Sequence, residues 1–390
     1  MSREIKSLES TETVRMTEDN NHCPELWERL YLHQVNRGFV AKPCCYAKPY
    51  DGYKIWITDG RNIFDSYNQS PEIQHLRSEN LQGRLGAGCE VCQHAEQTTG
   101  VSGRTQALIR TGGQRASKLT AHVDLNLGNL CNLACAICDP HSSTAWAPVY
   151  QKMQGRAWTM THYDKHDRAV IDDPGLFEHV ETLQLQGGEV FMQSAYTDFF
   201  QNLAKVKSLS RISVIIFTNG TMIPSAPLWR LLQQCRSVDL YFSIDDIQER
   251  FEYQRHGAKW SVVLENLRWF ELNRSHNIQL GFHPTYSLLN IYYLGELQKF
   301  LSNEFPNWQR RWGPYHVNTG PCIADTLPPD LRQAVIDRCR GIDELDFLKE
   351  YIRATPRDFS DFLVYIDQYD QATRASYRHA HSEFYQLLGA

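Results

Sequence analysis

Cys131, Cys135 and Cys138 form a CxxxCxxC arrangement within the segment Asp124 to Pro140. Three thiolates from one short loop can hold three irons of a four-iron, four-sulfur (4Fe-4S) cluster and leave the fourth without a protein ligand. An open coordination position is what a catalytic metal centre requires and what a structural one avoids. Structural zinc is the competing use of clustered cysteines. It ordinarily takes paired CxxC knuckles or CxxC with a His pair, which three unequally spaced cysteines match poorly. The spacing points to iron–sulfur chemistry.

Other residue sets downstream suit a charged ligand. Gly187, Gly188 and Glu189 combine two glycines, which permit close backbone approach, with a carboxylate that can pair with a cationic amine. Thr218-Asn219-Gly220 and Ser243-Ile244-Asp245 follow, and Arg255 comes twelve residues after Ser243. An arginine is always charged and bonds both oxygens of a carboxylate. Singly, each set is an ordinary turn, hydroxyl or surface arginine; it is their succession that carries meaning. Upstream lie Cys23, the pair Cys44 and Cys45, and the CxxC of Cys89 and Cys92. CxxC brings two sulfurs to one metal site, and two distant cysteines can complete a four-sulfur set for a cluster or for zinc. The spacing does not choose between Cys44 and Cys45.

The elements that must position these residues alternate along the chain. Strand candidates are His122–Gly128, Val180–Gln186, Ile212–Thr218, Val238–Ile244, Ile278–Ser287 and Trp312–Asn318. Helix candidates between them are Ser143–Gln154, Ser194–Lys207, Ala226–Cys235, Ser261–Leu272 and Leu294–Glu304. This alternation predicts an α/β fold of parallel strands joined by helices, curled into a partial barrel or laid out as an open doubly wound sheet. In both, ligands gather at the carboxyl ends of the strands, where the motifs above fall. Cys23 to Gly113 is short on periodicity and rich in turn residues such as Pro43, Gly52, Gly60 and Gly86, so it is expected to need a staple. The last fifty residues read as helices packed on the barrel.

Composition bounds the function. The 390 residues are 42% hydrophobic and 22% charged, enough for a sizeable core, with net charge −5 and no basic block. Nucleic acid as the main partner is disfavoured, because phosphate contacts need a concentrated positive face. No apolar run is long enough to span a membrane, and residues 1–22 are polar without a signal-peptide core. A disordered tail and a reducing cytoplasmic location are expected. The cysteine total of 11 is odd, which also argues against a disulfide framework.

On these motifs the chain resembles the radical S-adenosylmethionine (SAM) superfamily, and with the upstream cysteines it resembles that superfamily's N-terminal twitch members. Asn68, Pro71 and Arg77 before the CxxC, Gly100 to Arg104 after it, Leu327-Pro328 and the segment 367–388 agree as well. Leu26 before Trp27, and Val190 after Glu189, stand where a proline is usual. The resemblance implies a partial (β/α)6 TIM-type barrel over 118–320, a twitch-like auxiliary-cluster module over 23–117, and a C-terminal helical extension over 321–390. It implies a catalytic 4Fe-4S cluster on Cys131, Cys135 and Cys138, and a second, auxiliary 4Fe-4S cluster on Cys23, Cys44 (or Cys45), Cys89 and Cys92. SAM would be bound by Gly187, Gly188, Glu189, Thr218, Asn219, Ser243, Asp245 and Arg255, with Ser243 and Arg255 on its carboxylate. The implied oxidoreductase activity is reductive cleavage of SAM to a 5′-deoxyadenosyl radical that takes hydrogen from a substrate carbon, with an external flavodoxin- or ferredoxin-type electron donor. The substrate would be a peptide that is oxidised, cross-linked or epimerised. The alternatives are a sugar, cyclitol or nucleotide dehydrogenase and a non-catalytic metal-stapled binding protein. Cys322, after the sixth strand candidate, would be a buried hydrophobe or a hydrogen donor at the barrel mouth. The insertion 152–173 would be a solvated loop or a cover for the site.

Overall fold

Apolar residues recur at every second position in the central strands, and that period decides which face each strand buries. The computed structural model describes residues 3–6, 13–16, 22–35, 38–47, 55–57, 63–86, 88–98, 102–112, 121–158, 169–311 and 320–389. One nine-stranded sheet is built from β1 (Arg29–Val35), β2 (Gly38–Lys42), β3 (Ile55–Ile57), β4 (His122–Asn126), β5 (Thr182–Gln186), β6 (Ser213–Thr218), β7 (Ser237–Phe242), β8 (Ile278–Phe282) and β9 (Gln309–Arg310). Its order is β9-β8-β7-β6-β5-β4-β1-β2-β3. Neighbours from β1 through β4 to β9 run parallel, while β2 and β3 are antiparallel. A doubly wound sheet reverses its strand order partway, and the parallel strands here do not.

The first five strands expected from sequence are present, all but β7 inside the expected bounds, and β7 begins one residue earlier, at Ser237. The sixth candidate, 312–318, lies outside the described residues, and β9 precedes it. The sheet also runs across the boundary expected near residue 118, because β1 pairs with β4 from Arg29↔His122 to His33↔Asn126. The stretch 1–22 includes two short antiparallel strands, Arg3–Lys6 and Thr13–Met16, and its other residues up to 21 lie outside the described set.

Five helices follow the strands: α1 (Trp146–Gln154), α2 (Ser194–Val206), α3 (Ala226–Leu232), α4 (Trp260–Asn273) and α5 (Leu294–Glu304). In α2 the buried residues Ala195, Tyr196, Phe199, Phe200 and Leu203 make a stripe at helical spacing. In α3, Ser225 caps the first turn by accepting from the Leu228 N–H, and a proline sits just inside it. Leu183, Leu185, Val214, Ile216, Val238, Leu240, Phe242, Ile278, Leu280 and Phe282 are buried in the core. Each such side chain contributes roughly 1.5–3 kcal/mol. The opposite face carries polar residues, including His122, Asp124, Asn126, Gln184 and Gln186. Arg29 joins part of this face by bonding both Asp124 oxygens, at 2.9 and 2.7 Å, and Gln184 at 3.1 Å.

The C-terminal segment is helical, with α6 (Ser360–Thr373) followed by short helices at 377–380 and 382–387. It packs on the sheet domain. Lys152 donates to the Ala372 carbonyl at 2.8 Å, and the Phe384 N–H donates to the Tyr293 hydroxyl at 3.2 Å. Among the described residues no helix is long and apolar enough to cross a membrane.

Candidate functional site

The loop after β4 carries Cys131, Cys135 and Cys138. It has almost no regular structure, so its backbone polar groups need other partners. The Ala136 N–H donates to the Gln254 carbonyl at 2.7 Å, and Ala134–Cys135 forms a two-residue ladder with Arg255–His256. Side chains take the carbonyls: Thr144 bonds Cys131 O at 3.1 Å, Ser143 bonds Leu133 O at 2.6 Å, and Trp146 bonds Cys135 O at 2.8 Å. Cys131 is buried, whereas Cys135 and Cys138 are half-buried. Burial pushes the Cys135 thiol up to about 12 against the opposing charge of Arg255, and it pushes Cys131 and Cys138 upward too. A metal binds such a thiol as its thiolate, whose charge the cation stabilises.

Gly187, Gly188 and Glu189 fasten this loop. The Gly188 N–H donates to Gly128 O at 3.0 Å and the Glu189 N–H to Leu130 O at 2.8 Å. A Cβ on Gly187 would lie 2.4 Å from Gly128 O, and one on Gly188 would lie 2.3 Å from Leu130 O. Gly187 also has φ +130°. The close approach expected for a ligand is here made by the cysteine loop. Glu189 is fully buried and accepts from the Phe191 N–H at 3.1 Å, the Thr218 hydroxyl at 2.8 Å and the Asn219 N–H at 2.8 Å. Burial raises its pKa despite these donors. Its carboxylate thus ties the end of β5 to the turn after β6. Asn219 continues the chain of contacts, with its amide nitrogen 3.9 Å from the Cys131 sulfur and 3.1 Å from Asn132 Oδ1.

Asp245 and Arg255 form a buried ion pair at 2.6 Å. Asp245 also accepts the Thr285 N–H at 2.8 Å, and Arg255 Nη1 points at the Cys135 sulfur at 3.8 Å. Burial works against the Arg255 charge, but Asp245 and the Cys135 thiol outweigh it and raise its pKa. Arg255 Nε is buried without a partner. A buried donor left unpaired costs about 1–3 kcal/mol, which an arriving acceptor would recover. Ser243 is half-buried, and its N–H donates to Thr218 O at 2.9 Å. Together the strand ends bring the charged Arg255 guanidinium, with its unpartnered Nε–H, beside the Cys135 sulfur and within electrostatic reach of Cys131, an arrangement suited to sulfur-bound anionic charge and a carboxylate.

The upstream cysteines gather separately. Burial raises the Cys23 thiol, with Glu25, Cys89 and Cys92 pushing the same way. Burial likewise raises Cys44, with Cys45, Cys23 and Cys92 among its other influences. Cys45 is pushed up to about 11 by burial, but its charged neighbours are Arg29, Asp124, Glu25 and Lys42. Cys44 is therefore the member of the pair that shares surroundings with Cys23 and Cys92. Among the described residues no three His, Cys, Asp or Glu side chains converge closely enough for a single metal ion.

Cys235, Cys322 and Cys339 are buried, and burial pushes the Cys322 thiol up to about 12. Of the insertion 152–173, Trp158 packs edge-on against His141 at 4.6 Å and Tyr150 at 4.9 Å, while 159–168 lie outside the described residues. Two contacts to the cysteine loop had no signal in sequence. Tyr369 donates to Ala134 O at 2.7 Å and Tyr365 donates to Ala136 O, both from α6. Tyrosines in an amphipathic helix read as core, and nothing local ties them to a loop more than two hundred residues earlier.

No family model and no curated protein matches the chain. Among solved structures it is similar to native anSMEcpe with bound AdoMet, at 16% identity over 60% of this chain and 64% of that one, with a TM-score of 0.40. The chain spans less than two thirds of that protein's length. It is also similar to Streptococcus suis SuiB bound to S-adenosylmethionine, at 12% identity over 70% of this chain and 60% of that one, with a TM-score of 0.31. Against Streptococcus suis SuiB bound to precursor peptide SuiA the identity is 11%, over 91% of this chain and 79% of that one, with a TM-score of 0.35. Likeness at this level is distant.

Proposed function

We propose that the chain is a radical SAM enzyme that removes hydrogen from a carbon of a peptide substrate, leading to oxidation, cross-linking or epimerisation. One observation carries this reading: the CxxxCxxC loop meets the ends of β5 and β6 and the Arg255 of the Asp245–Arg255 pair, and the buried Arg255 Nε is left without an acceptor. When bound, a 4Fe-4S cluster supplies the electron that cleaves the sulfonium of SAM to a 5′-deoxyadenosyl radical. The protein's part is to bind, orient and exclude water. Cys131, Cys135 and Cys138 would hold three of the cluster's irons as thiolates. Arg255 would offset their negative charge and, with Ser243, would donate hydrogen bonds to the SAM carboxylate. Glu189, Gly187 and Gly188 keep the loop in place, and Thr218 and Asn219 extend that hold to the Cys131 sulfur.

The unreversed order of the parallel strands and the polar second face of the sheet support a partial (β/α) barrel. The shared surroundings of Cys23, Cys44, Cys89 and Cys92 support a twitch-like module with an auxiliary cluster, and Cys44 is taken as the ligand over Cys45. The electron donor is taken to be a flavodoxin- or ferredoxin-type protein.

Anaerobic reconstitution with iron and sulfide, followed by reduction in the presence of SAM, tests this reading. Wild-type protein is expected to release 5′-deoxyadenosine and Cys135→Ala to release none. Cys89→Ala should lose roughly half the iron if each cluster holds four irons. Protein that carries only zinc and leaves SAM intact would overturn the reading.

A further inference from the structure

A cleft of about 410 Å³ opens beside the cysteine loop, between α1, His256–Gly257 and the end of α6. None of the motif residues at the strand ends lines it; from the loop it takes Asn132 and Ala134, which lie between Cys131 and Cys135. Asn132 is exposed and directly follows Cys131. Its Oδ1 accepts from the Asn219 amide at 3.1 Å, and that same nitrogen lies 3.9 Å from the Cys131 sulfur. Gly257 has φ +100°, and a Cβ there would stand 3.1 Å from the Asn132 carbonyl oxygen. The wall of the cleft thus rests on the loop with no side chain between them.

The charge of this cleft has one sign. Lys152 and Arg374 line it as exposed cations, and among the described residues lining it there is no carboxylate, in a chain of net charge −5. Lys152 is anchored at the rim by donating to the Ala372 carbonyl at 2.8 Å. Arg374 ends α6 at φ +61°, a left-handed position where glycine is usual and a side chain costs roughly 1–2 kcal/mol. Lys259, two residues beyond Gly257, is exposed and pairs with Glu252 at 3.0 Å. The loop's own exposed charge, Asp139 beside Cys138, is negative, so an anionic partner is turned from that edge toward the cleft.

We infer that this cleft is where an acidic one-electron carrier protein docks to reduce the metal centre on the cysteine loop. This rests on the function proposed above. One electron leaves the carrier and enters the metal centre, and no bond forms or breaks. Electron-transfer encounters bury little surface, so a few charges can carry much of the attraction. Opposite charge speeds diffusional encounter and fixes which face of the carrier meets the loop.

The test uses anaerobically reconstituted protein with two probes of net negative charge, a flavodoxin and a ferredoxin. Wild type is compared with Lys152→Glu, Arg374→Glu and the double variant. Lys205→Glu, an exposed cation in the last turn of α2, is the control of equal charge change outside the cleft. Association of the carrier is followed by interferometry at low and raised salt, and SAM cleavage is driven in turn by the reduced carrier and by dithionite. With the carrier that reduces wild type, each single reversal should slow association about threefold at low salt and the double variant about tenfold. Raised salt should shrink these differences, and the control should not move. The ratio of carrier-driven to dithionite-driven cleavage should fall in step. Arg374→Gly suits the left-handed backbone, so it should hold or raise the thermal midpoint while still slowing association about twofold. Unchanged association in the double variant or an equal loss in the control would overturn the inference. So would an equal fall of both cleavage rates, or a wild type that dithionite reduces and neither carrier does. A wild-type chain that takes up no cluster and cleaves no SAM with dithionite defeats the functional reading itself.

Discussion

Glu189→Ala should be among the most damaging single substitutions outside the cysteines, and its cost follows from the three donors that its carboxylate satisfies. The Phe191 N–H, the Thr218 hydroxyl and the Asn219 N–H all bond it inside a fully buried pocket. Removing the acceptor strands all three. At about 1–3 kcal/mol for each buried donor left unpaired, with some relief from relaxation, the total is roughly 3–6 kcal/mol. Against a domain stability of about 5–15 kcal/mol that is a large fraction. Glu189→Gln separates hydrogen bonding from size. It can keep one oxygen for Thr218 and Phe191 but sets an NH2 group against the Asn219 N–H, stranding one donor at about 1–3 kcal/mol. Equilibrium urea unfolding of the metal-free protein, followed by tryptophan fluorescence and compared at equal slopes, gives both numbers. The expected order is wild type, then Gln, then Ala. If both variants unfold within about 0.5 kcal/mol of wild type, as ordinary surface changes do, the clasp between β5 and β6 is not there.

Two further outcomes follow from buried charges. Arg255→Met leaves the Asp245 carboxylate buried without its cation and should cost about 3–5 kcal/mol, visible as a lowered thermal midpoint even before iron is added. His381 is fully buried, and burial, with Arg250 adding, lowers its pKa to about 3 from 6.5. Because the folded value lies below the unfolded one, its contribution is present above about pH 6.5 and is lost as the pH falls toward 3. His381→Phe, which can keep the stack on Tyr377, should flatten the fall in stability between those limits, and an unchanged slope in acid titrations of unfolding would refute this.

What was legible in the sequence was local. Cys131, Cys135 and Cys138 share one loop, and the Gly-Gly-Glu, Thr-Asn-Gly and Ser-x-Asp sets each sit at the end of a strand whose alternation is plain, such as Leu183 and Leu185 or Val214 and Ile216. What was not legible depends on partners far away in the chain. β1 offers only Leu30 and Leu32 on its apolar face, with Arg29, Tyr31 and His33 on the other, and it became recognisable only once β4 was beside it. Glu189 was expected to face a ligand, yet the partners its carboxylate has are the protein's own donors. Asp245 and Arg255 were both expected at the site, but no spacing rule says that they bond each other. Tyr365 and Tyr369 looked like core because a hydroxyl aimed at a carbonyl leaves no periodic trace.

The pairing of β1 with β4 also governs how the chain can be cut. β4 is hydrogen-bonded to β5 on one side and to β1 on the other, and its Val123 and Leu125 are fully shielded. Proteolytic loss of the residues before the cysteine loop's strand would bare a row of unpaired backbone groups on that side. Such a rim recruits strands from other molecules. Residues 29–35 therefore act as a guard against self-association, and fragments lacking them should be recovered as aggregates.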